Sequence, residues 1–543
     1  MNAAELFVRC LENEGIQTIF GIPGEENIDV MDSLLDSSIN FITTRHEQGA
    51  AFMADVYGRL TGKAGVCLAT LGPGATNLVT GVADANMDRA PLVAIAGQAS
   101  TTRMHKESHQ YYDLVKLFEP ISKYSTSILA PEIIPEVVRK AFKIAEAEKP
   151  GVSFIQFPEN VATMEVEKTP LKVQQAPAPS PPQSKIDKAA EIISSARYPI
   201  VMAGNGVIRQ RACDELAAFA EKLNVPVATT FMAKGAIPFS HSHSLGTVGL
   251  QAHDYVACGF DRADVIICVG YDMIEYHPYL WHPGSDRRII HIDTMPAEVD
   301  EHYVLEVGVV GCIKQALAAI TDKATPKPEF QAQTLRTTII DELAEHSASK
   351  AFPMKPQKII WDLRQVLNAE DIVISDVGAH KMWMARMYQA EAPNTCIISN
   401  GFAAMGIGVP GAIAAKLTYP NRTALTVTGD AGFMMNSQEI ETAMRIGTPI
   451  VILIWTDSQY GLIQWHQLRR FGRASHIDFT NPDFVKYAES FGAKGYRVES
   501  AGDLVPTLRQ AIADDTVVVI DCPVDYSENM KLTEKLGKLV CPM

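Results

Sequence analysis

The sequence predicts an α/β protein built from three doubly wound parallel sheets. Short apolar runs of strand length alternate with amphipathic runs of helix length along most of the chain, the pattern of parallel strands joined by crossover helices. The runs fall into three groups, divided by the Pro-rich Ala176-Pro-Ala-Pro-Ser-Pro-Pro182 and by a charged, polar stretch from about Thr321 to Ser349. A chain of 543 residues is also too long for one core and suits about three domains.

The first group, residues 1–165, opens with helical periodicity over Ala3–Glu14, a strand at Thr18–Gly21 and a turn at Gly21-Ile-Pro-Gly24. Further strands are expected at 41–43, 65–70, 91–96 and 152–157. The interval 166–185 holds the Pro-rich run, which cannot build a helix or a central strand and reads as an extended linker. In the second group, 186–325, Tyr198-Pro-Ile-Val-Met-Ala-Gly-Asn-Gly206 precedes an amphipathic run, as a dinucleotide turn would. It lacks a third glycine in register, and the next strand, 225–230, does not end on an acid, so this sheet reads as structural, without a nucleotide. Two decoys are set aside: Ser240-His-Ser-His-Ser244 reads as a polar loop rather than a metal site, and Gly58-Arg-Leu-Thr-Gly-Lys63 lacks phosphate-loop spacing. After a connection at 326–355, the third group, 356–543, repeats the layout of the first without repeating its sequence. Its strand 371–376 leads into Val377-Gly-Ala-His-Lys-Met-Trp383, followed by Ile397-Ile-Ser-Asn-Gly-Phe-Ala-Ala-Met-Gly406 and a small-residue helix.

Charge and composition exclude several function classes. A net charge of −15 argues against nucleic acid or an anionic membrane as partner, although a metal and helix termini can still dominate inside a cleft. The nine cysteines form no Cys-x-x-Cys pair and mostly sit in apolar surroundings such as Val-Ile-Ile-Cys268-Val, so they are expected to be reduced core residues of a cytoplasmic protein. The amino terminus is acidic and helical in pattern, unlike a signal peptide, and no apolar run is long enough to span a membrane.

The chemistry concentrates between Thr428 and Gln459. The apolar strand Ala424-Leu-Thr-Val-Thr428 runs into Gly429-Asp430-Ala431-Gly432 at a strand-to-helix turn, and the strand Ile450-Val-Ile-Leu-Ile-Trp455 ends on Thr456-Asp457-Ser458-Gln459. Asp430 and Asp457 therefore stand at the carboxyl ends of two strands of one βαβ unit, the edge where ligands of open α/β sheets collect. Two carboxylates brought together repel unless a proton or cation separates them, and Mg²⁺ commonly takes one or two carboxylates plus the phosphates of a ligand. On spacing alone the pair reads equally as a Mg²⁺–diphosphate anchor or as a helix cap and a turn residue.

This stretch resembles the motif of the thiamine diphosphate (ThDP) enzymes, a Gly-Asp-Ala/Gly turn followed by a helix, a strand and Asn or Asp. The resemblance implies Asp430, Asp457 and the Gln459 carbonyl as Mg²⁺ ligands, with Gly429, Ala431 and Gly432 beside the diphosphate. It also implies pyrimidine-binding, middle Rossmann-like and diphosphate-binding domains in the three groups. ThDP is activated by a carboxylic acid at its pyrimidine ring, and a carboxyl group sequestered from water keeps its proton more readily. Thr43-Thr-Arg-His-Glu47-Gln-Gly-Ala-Ala-Phe-Met-Ala54 resembles the family's glutamate motif, which implies that role for Glu47; alone, Glu47 reads as a first-turn acid stabilised by the helix dipole. Leu71-Gly-Pro-Gly-Ala-Thr-Asn77 resembles the family's loop near the ring and implicates Gly72 and Asn77, with Gly24 in the earlier turn. Met405 matches the apolar residue that props the cofactor, or else fills the core, and the Ala403 carbonyl is implied as acceptor for the cofactor's amino group. Gly378 and His380 lie in a stretch resembling the family's diphosphate contact, with Ala379 where many members have Gln.

Nearly the whole chain is similar to the acetolactate synthases, above all their FAD-independent catabolic form, on the stretches 107–113, 270–278, 484–492 and 523–529. That implies a carboligase: one pyruvate loses CO₂ and its two-carbon remainder joins a second pyruvate to give 2-acetolactate, with Gln110 near the acceptor. FAD is not expected, because Glu159 stands at a lysine of the FAD-dependent forms and Tyr271-Asp-Met-Ile-Glu275 replaces their Arg-Phe-Asp-Asp-Arg. Glu25 would disfavour an anionic acceptor unless it faces solvent or is protonated. Trp465 matches the tryptophan by which biosynthetic forms favour 2-oxobutyrate, or is a packed aromatic. Alternatives are a 2-oxo acid decarboxylase, a carboligase with 2-oxobutyrate or an aldehyde as acceptor, and a non-catalytic regulatory subunit. The first ranks lower because this chain has no adjacent His pair in its first group like the one pyruvate decarboxylases use, glyoxylate carboligase is disfavoured by Glu47, and intact Glu47, Asp430 and Asp457 disfavour the subunit. The family's arrangement implies a homodimer or dimer of dimers acting on small 2-oxo acids, without indicating a regulatory subunit.

Overall fold

Val265-Ile-Ile-Cys-Val269 is apolar at every position, which suits a strand covered on both faces rather than one with a wet side. In the computed structural model, which describes residues 1–174, 178–249 and 253–542, this run is buried throughout and lies inside a parallel sheet. Linker residues 175–177, expected to be extended, lie outside the described residues.

There are three six-stranded parallel sheets with interleaved helices, as the alternating pattern requires. The first contains β1 (Thr18–Gly21), β2 (Asn40–Thr43), β3 (Gly65–Ala69), β4 (Leu92–Gln98), β5 (Tyr124–Ser127) and β6 (Val152–Pro158), in the order β2-β1-β3-β4-β6-β5. The second contains β7 (Pro199–Ala203), β8 (Val227–Thr229), β9 (Ser244–Thr247), β10 (Val265–Val269), β11 (Arg288–Asp293) and β12 (Leu305–Val310), in the order β12-β11-β10-β7-β8-β9. The third contains β13 (Ile372–Ser375), β14 (Cys396–Ile398), β15 (Ala424–Gly429), β16 (Val451–Thr456), β17 (Lys494–Arg497) and β18 (Val518–Pro523), in the order β14-β13-β15-β16-β18-β17. The second order reverses once, at β7, and the first and third reverse at β1 and β13 and again at β6 and β18; a switch point of this kind opens the crevice in which such sheets bind ligands.

The chain forms two compact units: Met1–Ala176 with Gly401–Asn421 and Phe433–Ile450, and Pro177–Asn400 with Arg422–Gly432 and Val451–Met543. Two segments that belong to the third group by sequence thus lie in the first unit. Among the described residues no helix is long and apolar enough to cross a membrane.

One expectation fails. Cys258 and Cys541 form a disulfide, with their Cα atoms 5.6 Å apart, while Cys10, Cys67, Cys213, Cys268, Cys312, Cys396 and Cys522 are free thiols. The partners are 283 positions apart, so spacing carries no sign of the pair; only folding the carboxyl-terminal segment against the helix Tyr255–Arg262 unites them. The Ser240–Ser244 run is a loop as far as His243, which is buried, and Ser244 already begins β9.

Candidate functional site

β15 and β16 are hydrogen-bonded neighbours with Gly429 opposite Trp455, so Asp430 and Asp457 leave the sheet side by side. Asp430 is the buried first residue of the helix Asp430–Asn436. Its Oδ1 accepts the Ala431 N–H at 2.9 Å, and its Oδ2 accepts the Ser458 N–H at 2.7 Å, the Asp457 N–H at 3.2 Å and Asn481 Nδ2 at 2.8 Å. Ser458 adopts a left-handed φ of 59° where the chain turns back toward that carboxylate. Burial raises the Asp430 carboxyl above its ordinary range despite these donors. Asp457 is pushed up to about 7, by burial first and by the Asp430 carboxylate second, and its Oδ2 is buried without a hydrogen-bond partner. Repelling acids with an unanswered buried oxygen are a donor set that fits a hard cation. Among the described residues the Gln459 carbonyl accepts the Gly461 N–H, at 3.0 Å, which leaves it a second lone pair.

His380 lies against the same edge. A Cβ on Gly378 would come within 2.8 Å of the His380 Cε1, and one on Gly429 within 3.3 Å, so the ring packs closely on both glycines and a side chain at Gly378 would force it to shift. Burial holds the imidazole down to about 3, hence neutral, and its Nε2 is buried and unpartnered. The Asp376 backbone takes the ring's one N–H, which leaves Nε2 an acceptor. At Gly432, a Cβ would sit 3.2 Å from Asp376 Oδ1, the acid that follows β13.

The other expected residues lie in the first unit. Glu47 opens the helix Glu47–Thr61 directly after the β2 turn, is 8% exposed, and accepts Asn77 Nδ2 on Oε2 at 2.9 Å. A Cβ on Gly74 would sit 3.3 Å from its Oε1, so the loop after β3 closes on the carboxylate because it carries glycine. Buried Glu439 braces the turn, its Oε1 accepting the Arg45 and His46 N–H groups at 3.0 Å each. Gly72 has a left-handed φ of 50°, and a Cβ there would strike the Gln110 carbonyl at 2.6 Å. That contact brings exposed Gln110 to the loop, and Gly24 packs on Thr70, whose Cβ would be 2.3 Å from an added Cβ.

Ala403 takes a left-handed φ of 59° in the segment Gly401–Gly406. Asp88 Oδ1 accepts the Gly401 N–H at 2.5 Å, Asp84 Oδ1 the Ala404 N–H at 3.3 Å, and Asn436 Nδ2 donates to the Gly406 carbonyl at 2.9 Å. Met405, half-buried, is carried between these anchors. Glu25 faces solvent, while Glu26 accepts the Thr70 hydroxyl at 2.8 Å. Trp465 packs in the core of the second unit, its Nε1 donating to Thr533 Oγ1 at 2.8 Å, as a packed aromatic would.

Comparison with known proteins bears on this arrangement. Three family models match in sequence order: thiamine pyrophosphate enzyme, N-terminal TPP binding domain, over residues 1–117; central domain, over 186–320; and C-terminal TPP binding domain, over 376–522. The acetolactate synthase of Bacillus subtilis (strain 168) is 38% identical over 546 residues, covering 98% of this chain and 95% of the relative. The catabolic acetolactate synthase of Raoultella terrigena is 36% identical over 551 residues, 98% of this chain and 97% of the relative. A probable acetolactate synthase large subunit of Methanocaldococcus jannaschii is 36% identical over 561 residues, 99% and 94%.

The chain belongs to the acetolactate synthase family. It is a thiamine-diphosphate-dependent enzyme of the kind that forms a carbon–carbon bond.

Within this family framework, several residues that sequence reasoning missed surround the expected ones. Asn481 donates both to Asp430 and to Ser458 Oγ at 3.1 Å, from a loop 51 residues downstream that carries no local signal. Tyr526 walls the acid pair, since a Cβ on Gly461 would lie 3.2 Å from both Asp457 Oδ2 and the tyrosine ring, and its hydroxyl is buried without a partner. In the second sheet the loops after β7 and β10 meet at the switch point: an added Cβ on Gly204 would be 2.4 Å from the Gly270 carbonyl. Buried Glu275 sits there too, accepting the Asn205 N–H on both oxygens at 3.1 and 3.0 Å and the Thr230 hydroxyl on Oε2.

Proposed function

We propose that the chain is a ThDP- and Mg²⁺-dependent carboligase that decarboxylates pyruvate and condenses the two-carbon remainder with a second pyruvate to give 2-acetolactate and CO₂. The observation that carries the reading is the Asp430–Asp457 pair, with an unpartnered Asp457 oxygen at adjacent strand ends. Asp430, Asp457 and the Gln459 carbonyl would hold Mg²⁺, and His380 with the Gly378 and Gly429–Gly432 turns would hold the diphosphate. Glu47 would protonate the pyrimidine ring, Asn77 would orient Glu47, and Gly24 and Gly72 would leave room for the ring. The Ala403 carbonyl would accept the amino group, Met405 would prop the cofactor, and Gln110 would meet the acceptor. When bound, ThDP supplies a nucleophilic carbon and an electron sink for decarboxylation. The protein's own work is to keep Glu47 out of water beside Asn77 and to keep His380 neutral. Solvent-facing Glu25 leaves an anionic acceptor unopposed.

The filled switch point of the second sheet supports a middle domain without FAD. A dinucleotide would have to displace the Gly204–Gly270 contact and lay its anionic diphosphate beside Glu275. The domain boundaries we adopt are 1–165, 186–325 and 356–543, with connections at 166–185 and 326–355. A cytoplasmic homodimer or dimer of dimers completes the reading, supported by exposed Phe402, Met434 and Met435 beside the Ala403 segment and its Asn436 anchor. Dilution that yields active monomers overturns the assembly.

The deciding experiment is incubation with ThDP, Mg²⁺ and pyruvate, without FAD, with products resolved by mass and chirality. Acetolactate is the expected product. Acetaldehyde, or no pyruvate consumed while ThDP is bound, overturns the reading in favour of a decarboxylase or another acceptor.

A further inference from the structure

Away from the acid pair, in the second unit, three soft or borderline ligand atoms converge. His253, Cys258 and Cys541 each bring a ligand atom within 4.8 Å of the other two. Their placement follows from local structure. Asp254 caps the helix Tyr255–Arg262, its carboxylate accepting the Ala257 N–H at 2.9 Å, which leaves His253 just outside the first turn and Cys258 within it. Asp261, further along the same helix, contacts His253 Nε2. A carboxylate on one ring nitrogen fixes the tautomer and turns the other nitrogen toward a metal, as at many zinc centres. Cys541 arrives from the carboxyl-terminal segment beyond the helix Ser527–Gly537. A small cavity of about 50 Å³, lined by Tyr198, Arg262, Leu335, Cys258 and Pro542, opens beside Cys258.

We infer that the dithiol state of this cluster is a site for a soft or borderline divalent cation of the Zn²⁺ class, held by the Cys258 and Cys541 thiolates and the His253 imidazole, with the cavity giving water the fourth position. Two thiolates and an imidazole are the ligand types that zinc selects and Mg²⁺ avoids, so the site does not compete for the cation of the acid pair. The disulfide and the metal exclude each other. A dithiol reductant gives two electrons and two protons to the Cys258–Cys541 bond and becomes a disulfide itself; the entering cation then displaces both thiol protons. Oxidised or metal-loaded, the carboxyl-terminal segment is tied to the Tyr255–Arg262 helix; reduced and metal-free, it is released. That segment matters because the helix before it supplies Asn529, whose Oδ1 accepts Trp383 Nε1 at 2.7 Å on the helix that carries His380.

The test is a Co²⁺ titration of the full chain after reduction with a dithiol and anaerobic removal of the reductant. A thiolate-to-cobalt charge-transfer band that saturates at one ion per chain, is abolished by Cys541→Ser, shifts with His253→Ala and is displaced by Zn²⁺ is the expected result. The oxidised chain should show no such band. Carboxylates cannot generate it, so cobalt at Asp430 and Asp457 does not mimic the signal. No thiolate band in the reduced chain, or a band unchanged in Cys541→Ser, overturns the site. His253 is exposed and Cys541 half-buried, and a circular dichroism spectrum matching the parent's checks that each variant is folded.

Discussion

The first and third sheets are wound in one order, second strand, first, third, fourth, sixth, fifth, yet they present different chemistry at the same edge. The first sheet carries one carboxylate after its second strand, with a hydrogen-bond donor already on it, Asn77 at 2.9 Å from Glu47. The third carries, after its third and fourth strands, a pair close enough to repel, one of them with an unanswered buried oxygen. The winding fixes where a ligand edge lies; the side chains there decide what it takes. A satisfied single acid is suited to exchanging a proton with a neutral ring, whereas a frustrated pair is suited to a cation and, through it, to an anion. The second sheet, wound differently, shows the third outcome, a switch point closed by its own backbone and by Glu275.

The largest effect should come from the frustrated pair. Asp430→Ala removes the acid that four donors orient, and metal-dependent ThDP binding should fall below detection in calorimetry, with turnover down on the order of a thousandfold or more. Tight ThDP binding in that variant would erase the distinction between the two edges. Glu47→Gln should separate them from the other side. ThDP and Mg²⁺ should bind as in the parent, because the amide keeps an acceptor for Asn77, while turnover drops roughly 10²- to 10⁴-fold, the usual worth of a positioned acid. A variant that turns over normally would sink the role of Glu47.

Legibility in the sequence followed the same division. Alternating apolar runs made the three sheets readable, since a strand buried on both faces needs apolar residues at each position. Asp430 and Asp457 were legible as strand-end acids and Glu47 as a helix-start acid from short local patterns, whereas the roles expected of them came from the family resemblance. Asn481, Tyr526, Glu439 and Glu275 were not, as each reaches its partner through folding over long separations and belongs to no local period. The disulfide failed for the same reason: Cys541 sits in a tail whose apolar context reads as core. Asp84 and Asp88, on or beside a helix of small residues, gave no sign that their carboxylates would cap the Gly401 and Ala404 N–H groups.

The closed switch point makes a prediction that depends on pH. Burial pushes Glu275 from its ordinary 4.5 to about 7; its Thr230 and Asn205 hydrogen bonds and nearby Arg209 oppose this, and Asp272 adds to it. A folded-state value raised above the unfolded one means the protonated acid is the stabilised form. Its contribution is therefore complete below about pH 4.5 and is lost as pH rises through about 7, by no more than about 3 kcal/mol. Denaturant unfolding between pH 4.5 and 8 should show this fall in the second sheet's transition, flattened in Glu275→Gln. An equal slope in parent and variant would mean that Glu275 titrates as an ordinary surface acid and that the crevice is wet rather than filled.

The smallest effect gives the sharpest contrast between the first and third sheets. Asp457→Asn removes the repulsion with Asp430 and gives the buried, unpartnered Oδ2 position an amide that can donate toward its neighbour. The metal-free chain should gain about 1–2 kcal/mol, seen as a higher melting temperature, while Mg²⁺ binds more weakly for want of one charge. Glu47→Gln should leave melting nearly unchanged, because Glu47 already has its donor. A gain at Asp457 with none at Glu47 locates the stored repulsion in the third sheet, at the one edge where a cation would relieve it. Equal shifts would mean that both acids are merely buried, and the case for a cation at Asp430 and Asp457 would lose its physical ground.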